Sequence, residues 1–166
     1  MSISLERIKF LVVDDNLHAI DLVKTMLRGF GVDQVAEATN LTDAKKALKA
    51  APVDIIILDY LLGDEEGVTL ARHIRMDPSS PAPFVPIIML TGHANRARLI
   101  TARDAGVNEF CVKPFTPADL MKRIMAVIDH PRPFVRSPTY FGPDRRRQDD
   151  PKYPGPERRG SRHRKS

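Results

Sequence analysis

The stretch VDIIILD, from Val53 to Asp59, decides how the rest of the chain is interpreted. It is apolar between Asp54 and Asp59 and rich in β-branched residues, which is the pattern of a strand buried on both faces of a parallel sheet. Parallel strands need a crossover between them, most often a helix that covers one face of the sheet. The flanking sequence should therefore alternate between short apolar runs and amphipathic helices.

Four further apolar runs show this alternation. They are IKFLVV (Ile8–Val13), DQVAEA (Asp33–Ala38), FVPIIML (Phe84–Leu90) and EFCVK (Glu109–Lys113). Pro86 has no backbone N–H, so we expect it near the start of its strand or away from the ladder.

Apolar residues three or four positions apart follow each strand, as on one face of a helix. The four clear sets are Ile20, Val23 and Leu27; Leu41, Ala44 and Leu48; Val68, Ala71 and Ile74; and Leu120, Ile124 and Val127, with a weaker helix near 94–105. The last helix should begin with Thr116 as N-cap, Pro117 at the first position and Asp119 in a capping box. Five strand–helix repeats predict a doubly wound (βα)5 α/β sandwich.

Charge divides the 166 residues into two parts. Residues 6–130 form the predicted domain. Residues 1–130 carry 15 Lys/Arg and 17 Asp/Glu, whereas residues 131–166 carry 11 Lys/Arg and 4 Asp/Glu. This C-terminal tail also contains seven prolines and no periodic apolar face. We therefore expect it to be disordered or extended, with no independent fold, and its positive charge to suit an anionic partner.

Cys111 is the single cysteine, so neither an internal disulfide nor a cysteine-based metal site is available. The chain shows no signal-peptide pattern and no apolar run of membrane-spanning length. These features predict a cytoplasmic protein without a transmembrane segment.

Polar residues stand where the predicted strands end. Asp14 and Asp15 follow the first strand, Asp59 ends the third, Thr91 follows the fourth and Lys113 the fifth. The carboxyl ends of parallel strands meet at one edge of the sheet, where ligands of such folds bind. Three carboxylates there call for a cation, and Mg²⁺ suits a site that shares phosphate oxygens. One carboxylate could then accept a phosphoryl group, while the amine and the hydroxyl bind its oxygens.

Simpler interpretations exist for each of these residues. Asp14, Asp15 and Asn16 could only cap the first helix, Thr91 could cap the fourth, and Lys113 could be a solvated lysine. A phosphatase of the haloacid dehalogenase kind also uses an aspartate nucleophile on such a sheet, but it normally carries a D-x-D pair after the first strand.

Four segments, FLVVDDN (10–16), IIILDYLLGDEEG (55–67), IIMLTGH (87–93) and EFCVKPF (109–115), resemble the signatures of the CheY-like response-regulator receiver domain of two-component signalling. The resemblance covers about residues 6–130. It implies a flavodoxin-like sheet of order 2-1-3-4-5 and a protein that catalyses only its own phosphorylation and dephosphorylation. The implied partners are a sensor histidine kinase or histidine phosphotransfer protein and a downstream protein target. The Pro/Arg-rich tail contains no helix-turn-helix pattern, so we expect no DNA-binding domain. A receiver that binds partners without being phosphorylated is the alternative.

The resemblance also assigns roles position by position. Asp59 would be the phosphoacceptor, and Asp14, Asp15, Asp59 and the backbone carbonyl of Leu61 would bind Mg²⁺. Thr91 and Lys113 would engage the phosphoryl group, and Lys113-Pro114 would be a cis peptide. Phe110 matches the aromatic switch position, with fixed core packing as the alternative. Where the family often has Met-Pro, this chain has Leu62-Gly63, so we expect a more mobile loop.

The tail contains two similar units, GPDRR (Gly142–Arg146) and GPERR (Gly155–Arg159). Arginine can hold a phosphate or guanine O6 and N7 in a bidentate manner, acids can accept from guanine N1 and N2, and aromatic rings can stack on bases. An acid beside the arginines would weaken plain polyanion binding, so it favours a guanine ligand. The candidate ligand-binding residues are Tyr140, Asp144, Arg145, Arg146, Arg147, Glu157, Arg158 and Arg159.

The tail resembles the arginine-rich extensions of a subset of CheY-like single-domain regulators that bind cyclic di-GMP. That resemblance implies cyclic di-GMP as a second ligand. Non-specific binding of nucleic acid or membrane, binding of a protein partner and an inert solvated tail are the alternatives.

Overall fold

A computed structural model describes residues 4–92 and 95–144 of the protein. The strands are β1 (Lys9–Val13), β2 (Gln34–Ala38), β3 (Ile55–Asp59), β4 (Leu61–Leu62), β5 (Glu65–Glu66), β6 (Ile87–Thr91), β7 (Glu109–Val112), β8 (Phe134–Ser137) and β9 (Tyr140–Pro143). The helices are α1 (Leu17–Gly29), α2 (Leu41–Ala50), α3 (Gly67–Met76), α4 (Arg96–Asp104) and α5 (Pro117–Asp129). None of the helices in this described part is long and apolar enough to cross a membrane.

Five strands form one parallel sheet in the order β2-β1-β3-β6-β7. The predicted order 2-1-3-4-5 is confirmed, because β6 and β7 are the fourth and fifth long strands once the two-residue strands β4 and β5 are set aside. All five residues of β3, at the centre of the sheet, are buried. The apolar stretch predicted to be a strand buried on both faces therefore lies at the centre of the sheet.

Each face of the sheet carries its own core. Ile56 and Leu58 pack with the apolar faces of α2 and α3, whereas Ile55 and Ile57 pack with those of α1 and α5. Successive side chains of a strand point to opposite faces, so a strand between two helical layers must be apolar at every position. This alternation explains why β3 contains no polar residue before Asp59.

The helix and strand ends follow the expected local chemistry. The capping box of α5 is present, with Thr116 accepting from the N–H of Asp119 at 3.1 Å and Asp119 accepting from the N–H of Thr116 at 2.9 Å. The predicted strand 84–90 is displaced, because β6 begins at Ile87. Pro86 lies just before it and uses only its carbonyl, which accepts from Ile56 N–H at 2.9 Å.

The first part of the tail, which the sequence predicted to be disordered or extended when alone, is an ordered hairpin packed on the domain. β8 and β9 form an antiparallel hairpin in which all four residues of β9 are buried. Phe84, Phe134 and Phe141 supply the reason, since their ring centroids lie 5.2–5.5 Å apart in tilted or edge-on pairs. Phe84 lies outside the tail, so the pattern of apolar residues within the tail does not reveal this aromatic cluster.

A buried arginine holds this hairpin to the domain. Arg75 is 3% exposed and donates to the carbonyls of Gly106 (3.1 Å) and Pro83 (2.9 Å) and to Asn108 Oδ1 (2.9 Å). Its guanidinium also lies 4.9 Å from the ring centroid of Phe134. Burial lowers the pKa of Arg75 to about 10, so the side chain remains protonated at neutral pH.

Two glycines allow the close approach of hairpin and domain. A Cβ on Gly142 would lie 2.9 Å from the Cα of Gly106, and Gly106 has a φ of +95°. Gly106 and Pro83 precede β7 and β6, so the hairpin lies at the amino end of the sheet. The predicted polar site lies at the carboxyl end, on the opposite side of the domain.

Candidate functional site

The structure brings the predicted acidic residues together. Asp14 and Asp15 follow β1, Asp59 is the last residue of β3, and one carboxylate oxygen from each lies within 4.8 Å of the others. Lys113, directly after β7, places its Nζ 3.0 Å from Asp59 Oδ1 and 4.0 Å from Asp14 Oδ2. Carboxylates from β1 and β3 therefore share one crevice with an ammonium group from the far edge of the sheet.

Asp14 is the carboxylate of this group whose ionised form is least favourable. It is 2% exposed, and only its Oδ1 is hydrogen-bonded within the described part of the chain, accepting from Asn16 N–H at 2.9 Å. Burial, reinforced by the charge of Asp59 and opposed by the Asn16 N–H and Lys113, raises the pKa of Asp14 to about 6. A buried carboxylate oxygen without a donor is costly unless something positive approaches it.

The helix-cap alternative does not account for the aspartates. Asn16 by itself caps α1, accepting from His18 N–H at 2.9 Å and Ala19 N–H at 3.2 Å. Asp14 and Asp15 are left to face the crevice. Their carboxylates, together with that of Asp59, form a hard oxygen donor set that fits a divalent cation such as Mg²⁺.

A tight turn beside the crevice orients Asp15. Leu61 pairs with Glu66 and Leu62 with Glu65, and Gly63 between them has a φ of +62°. Gly63 N–H donates to Asp15 Oδ2 at 3.1 Å. The Leu62-Gly63 departure from the family pattern thus occurs in a paired turn, and the carbonyl of Leu61 remains a predicted ligand.

Gly67 is a site residue that the sequence analysis missed. It is the first residue of α3, its N–H donates to Tyr60 O at 2.7 Å, and a Cβ there would collide with the backbone carbonyl of Asp59. A glycine that opens a helix is the signal that could have identified it. Helix α3 can therefore begin directly against the backbone of the predicted phosphoacceptor.

Thr91 and Phe110 lie on neighbouring strands. Thr91 is 1% exposed at the end of β6, and its carbonyl accepts from Lys113 N–H at 2.8 Å. The cis peptide predicted at Lys113-Pro114 is confirmed. Phe110 is half-buried, packs against the core on the α2–α3 side and lines an open groove of about 290 Å³ beside α4. Whether its ring switches or stays packed remains a prediction.

The tail candidates fall outside this crevice. Tyr140 is 7% exposed and its hydroxyl donates to Pro143 O at 2.6 Å, so the side chain is buried in the hairpin, and its role in ligand binding stays a prediction. Asp144 is also 7% exposed, and its N–H donates to Pro133 O at 2.7 Å. The remaining candidates, Arg145, Arg146, Arg147, Glu157, Arg158 and Arg159, lie outside the described residues.

Comparison with known proteins agrees with this geometry. The family model described as "Response regulator receiver domain" matches residues 10–125. The chain belongs to this family. Receiver domains are signalling proteins that interact with histidine kinases, and they are not enzymes in the usual sense.

Relatives resemble the receiver domain over most of their own length. Chemotaxis protein CheY1 of Helicobacter pylori is 36% identical over 72% of this chain and 96% of its own, and chemotaxis protein CheY-3 of Vibrio cholerae is 32% identical over 75% and 94%. The receiver domain of a sensor histidine kinase of Pseudomonas aeruginosa is 28% identical, with a TM-score of 0.64 over 73% of this chain and 97% of its own. That structure holds a magnesium ion coordinated in its active site cleft.

Proposed function

We propose that this receiver domain accepts a phosphoryl group on Asp59 and signals through contacts with other proteins. The observation that carries the proposal is the 3.0 Å contact between Lys113 Nζ and Asp59 Oδ1, beside the three clustered carboxylates. Asp59 is 8% exposed, so its carboxylate is reachable only from the crevice. The donor would be a phosphohistidine of a sensor kinase or phosphotransfer protein.

The chemistry follows from the positions of these groups. A carboxylate oxygen of Asp59 attacks the phosphorus atom, the new O–P bond forms as the N–P bond of the donor breaks, and the imidazole leaves. Lys113 and the hydroxyl of Thr91 bind the transferred oxygens. Bound to Asp14, Asp15, Asp59 and the Leu61 carbonyl, Mg²⁺ would neutralise the charge that gathers in the transition state.

Phosphorylation by a small donor tests this proposal directly. Acetyl phosphate with Mg²⁺ should add one phosphoryl group to the protein, visible by intact mass, and Asp59→Asn should remain unmodified. Asp64→Asn, which changes an exposed acid in the neighbouring turn, is the matched control and should be modified like the wild type. An unmodified wild type, or modification of Asp59→Asn, would refute the assignment. Steady turnover of an external phosphomonoester would instead support the phosphatase alternative.

The same crevice suggests where the kinase or phosphotransfer protein docks. Leu17 and Leu22 of α1 are 62% and 56% exposed, and Leu22 lines a groove of about 220 Å³ that runs to Lys113 and Phe115. Exposed leucines beside a catalytic crevice suit the apolar face of a partner helix. Leu22→Ser should slow phosphotransfer from the cognate kinase and leave phosphorylation by acetyl phosphate unchanged. Equal loss with both donors would contradict this docking surface.

We also propose that the arginine-rich tail binds cyclic di-GMP. The support is the pair of Gly-Pro-acid-Arg-Arg units within a segment of net charge +7. Because Tyr140 and Asp144 are buried in the hairpin, the arginines that follow Asp144 would supply most of the contacts.

Calorimetry with cyclic di-GMP distinguishes the possible roles of the tail. Binding that is lost in Arg158→Ala and changes little between low and moderate salt would support the guanine ligand. Steep salt dependence with equal affinity for unrelated polyanions would favour non-specific binding. No heat at all would leave the inert or protein-binding alternatives.

A further inference from the structure

Helix α4 is held to the domain more weakly than its neighbours. Of its nine residues only Ala102, in the second half, is buried, whereas α1, α2 and α5 each bury three residues and α3 buries six. The first half, from Arg96 to Ile100, is exposed or half-buried. This half lies closest along the chain to Thr91, since only residues 92–95 separate Thr91 from Arg96.

Tyr60, directly after Asp59, offers the first half of α4 a rigid contact surface. Its side chain is 5% exposed and packs in the core between the sheet and α2, α3 and α4. Its N–H donates to Leu90 O at 2.9 Å and its carbonyl accepts from Gly67 N–H at 2.7 Å. With the backbone bonded on both sides and the ring buried, Tyr60 cannot move without moving the strand that carries Asp59.

Arg98 makes the contact between the two. Its guanidinium carbon lies 4.9 Å from the centroid of the Tyr60 ring, within the range of a cation–π interaction. Its side chain is half-buried, and its backbone N–H donates to the N-cap side chain at Asn95 Oδ1 at 2.8 Å. A single residue thus both belongs to the capped first turn of α4 and stacks on the neighbour of the predicted phosphoacceptor.

We propose that Arg98 is a positioning residue for phosphoryl transfer to Asp59. By stacking on Tyr60 it holds the first half of α4 in place and links this helix to the residue that directly follows the phosphoacceptor. This inference rests on the proposed function. It concerns the fraction of molecules in which α4 is docked on Tyr60, because undocked molecules lack this additional link between the ends of β3 and β6.

The experiment is a double-mutant cycle with acetyl phosphate and Mg²⁺ as the probe. Arg98→Ala should slow phosphorylation about two- to five-fold, the change that corresponds to losing a contact of about 0.5–1 kcal/mol. Arg98→Lys keeps a cation and should restore at least half of the rate. Tyr60→Phe keeps the ring and should match the wild type, whereas Tyr60→Leu should slow the reaction as Arg98→Ala does.

Two further results separate positioning from a general loss of structure. The double variant Arg98→Ala/Tyr60→Leu should be no slower than either single variant, because the two side chains form one contact. Mg²⁺ affinity should be unchanged in Arg98→Ala, since the three carboxylates lie on other elements. Arg103→Ala, a partly exposed arginine of the same helix, is the matched control and should phosphorylate at the wild-type rate.

Each outcome has one meaning. Additive losses in the double variant, failure of Arg98→Lys to recover more than Arg98→Ala, or a wild-type rate in Arg98→Ala would overturn the inference while leaving the proposed function intact. A wild type that is not phosphorylated on Asp59 would overturn the proposed function itself.

Discussion

Replacing Asp14 with asparagine should stabilise the protein at neutral pH when no metal is present. The carboxylate is 2% exposed, and its Oδ2 accepts no hydrogen bond within the described residues. Asparagine has the same shape and keeps the acceptor for Asn16 N–H, but it carries no charge. The substitution therefore removes an unfavourable ionisation and leaves the packing nearly unchanged.

The magnitude follows from the raised pKa. Burial lifts the pKa of Asp14 from 3.8 to about 6, and each pKa unit is worth about 1.36 kcal/mol, so ionised Asp14 costs the folded state about 3 kcal/mol at pH 7. Between about pH 4 and 6 the folded state holds a proton that the unfolded state has already released. Stability of the wild type therefore falls as pH rises through this window, and above it the loss is constant.

Denaturant unfolding of wild type and Asp14→Asn with EDTA, at pH 4 and pH 7, measures the effect. The variant should be about 3 kcal/mol more stable at pH 7 and within about 0.6 kcal/mol of the wild type at pH 4. With Mg²⁺ at a hundred times its Kd, the wild type alone should gain about 2.7 kcal/mol. Asp64→Asn, an exposed acid in the nearby turn, should change stability by less than about 0.5 kcal/mol at either pH.

Two results would refute this reasoning. A gain of the same size at pH 4 would mean that the effect does not come from ionisation. No gain at pH 7 would mean that the buried carboxylate is already compensated without a metal, so that its burial creates no electrostatic demand for a cation at this site.

Three further substitutions test other parts of the structure. Gly67→Ala should destabilise the domain by about 1–3 kcal/mol and slow phosphorylation, because the new methyl group meets the carbonyl of Asp59. The control Gly29→Ala, with open space around it, should do neither. Equal unfolding curves for the two variants would contradict the contact. Phe141→Ala should release the hairpin, detected as faster hydrogen exchange of β8 and β9, without altering phosphorylation at the opposite end of the sheet; unchanged exchange would show that the aromatic cluster does not hold it. Leu61→Asn should shorten the lifetime of the phosphorylated protein, because the apolar side chain of Leu61, at a 44% exposed position, cannot orient an attacking water. Equal rates of dephosphorylation in the wild type and the variant would rule out this role for Leu61.

The patterns of residues close together in the sequence predicted the strands and helices of the domain. The strand that ends at Asp59, the capping box at Thr116 and the helical faces all depend on spacing within one element, and these appear as expected. The grouping of Asp14, Asp59 and Lys113 was predictable as well, because parallel strands present their carboxyl ends at one edge whatever the details of packing.

The contacts that hold the hairpin to the domain escaped prediction because they join residues distant in the sequence. Phe84 completes the aromatic cluster of the hairpin, and Arg75 reaches across to Gly106, 31 positions away. The tail has too few apolar residues to form a core by itself, and the domain provides the apolar surface against which the hairpin packs. For this reason the sequence alone did not predict the docked hairpin.

By itself, therefore, the sequence determined which elements form, in what order they lie in the sheet, and which polar groups stand at its carboxyl edge. Only the tertiary structure decided that Asp14 is buried enough to have a raised pKa, that Gly67 lies against the carbonyl of Asp59, and that the tail begins as a docked hairpin. Periodicity and capping are encoded in neighbouring residues, whereas burial and close approach depend on which distant side chains share the same space.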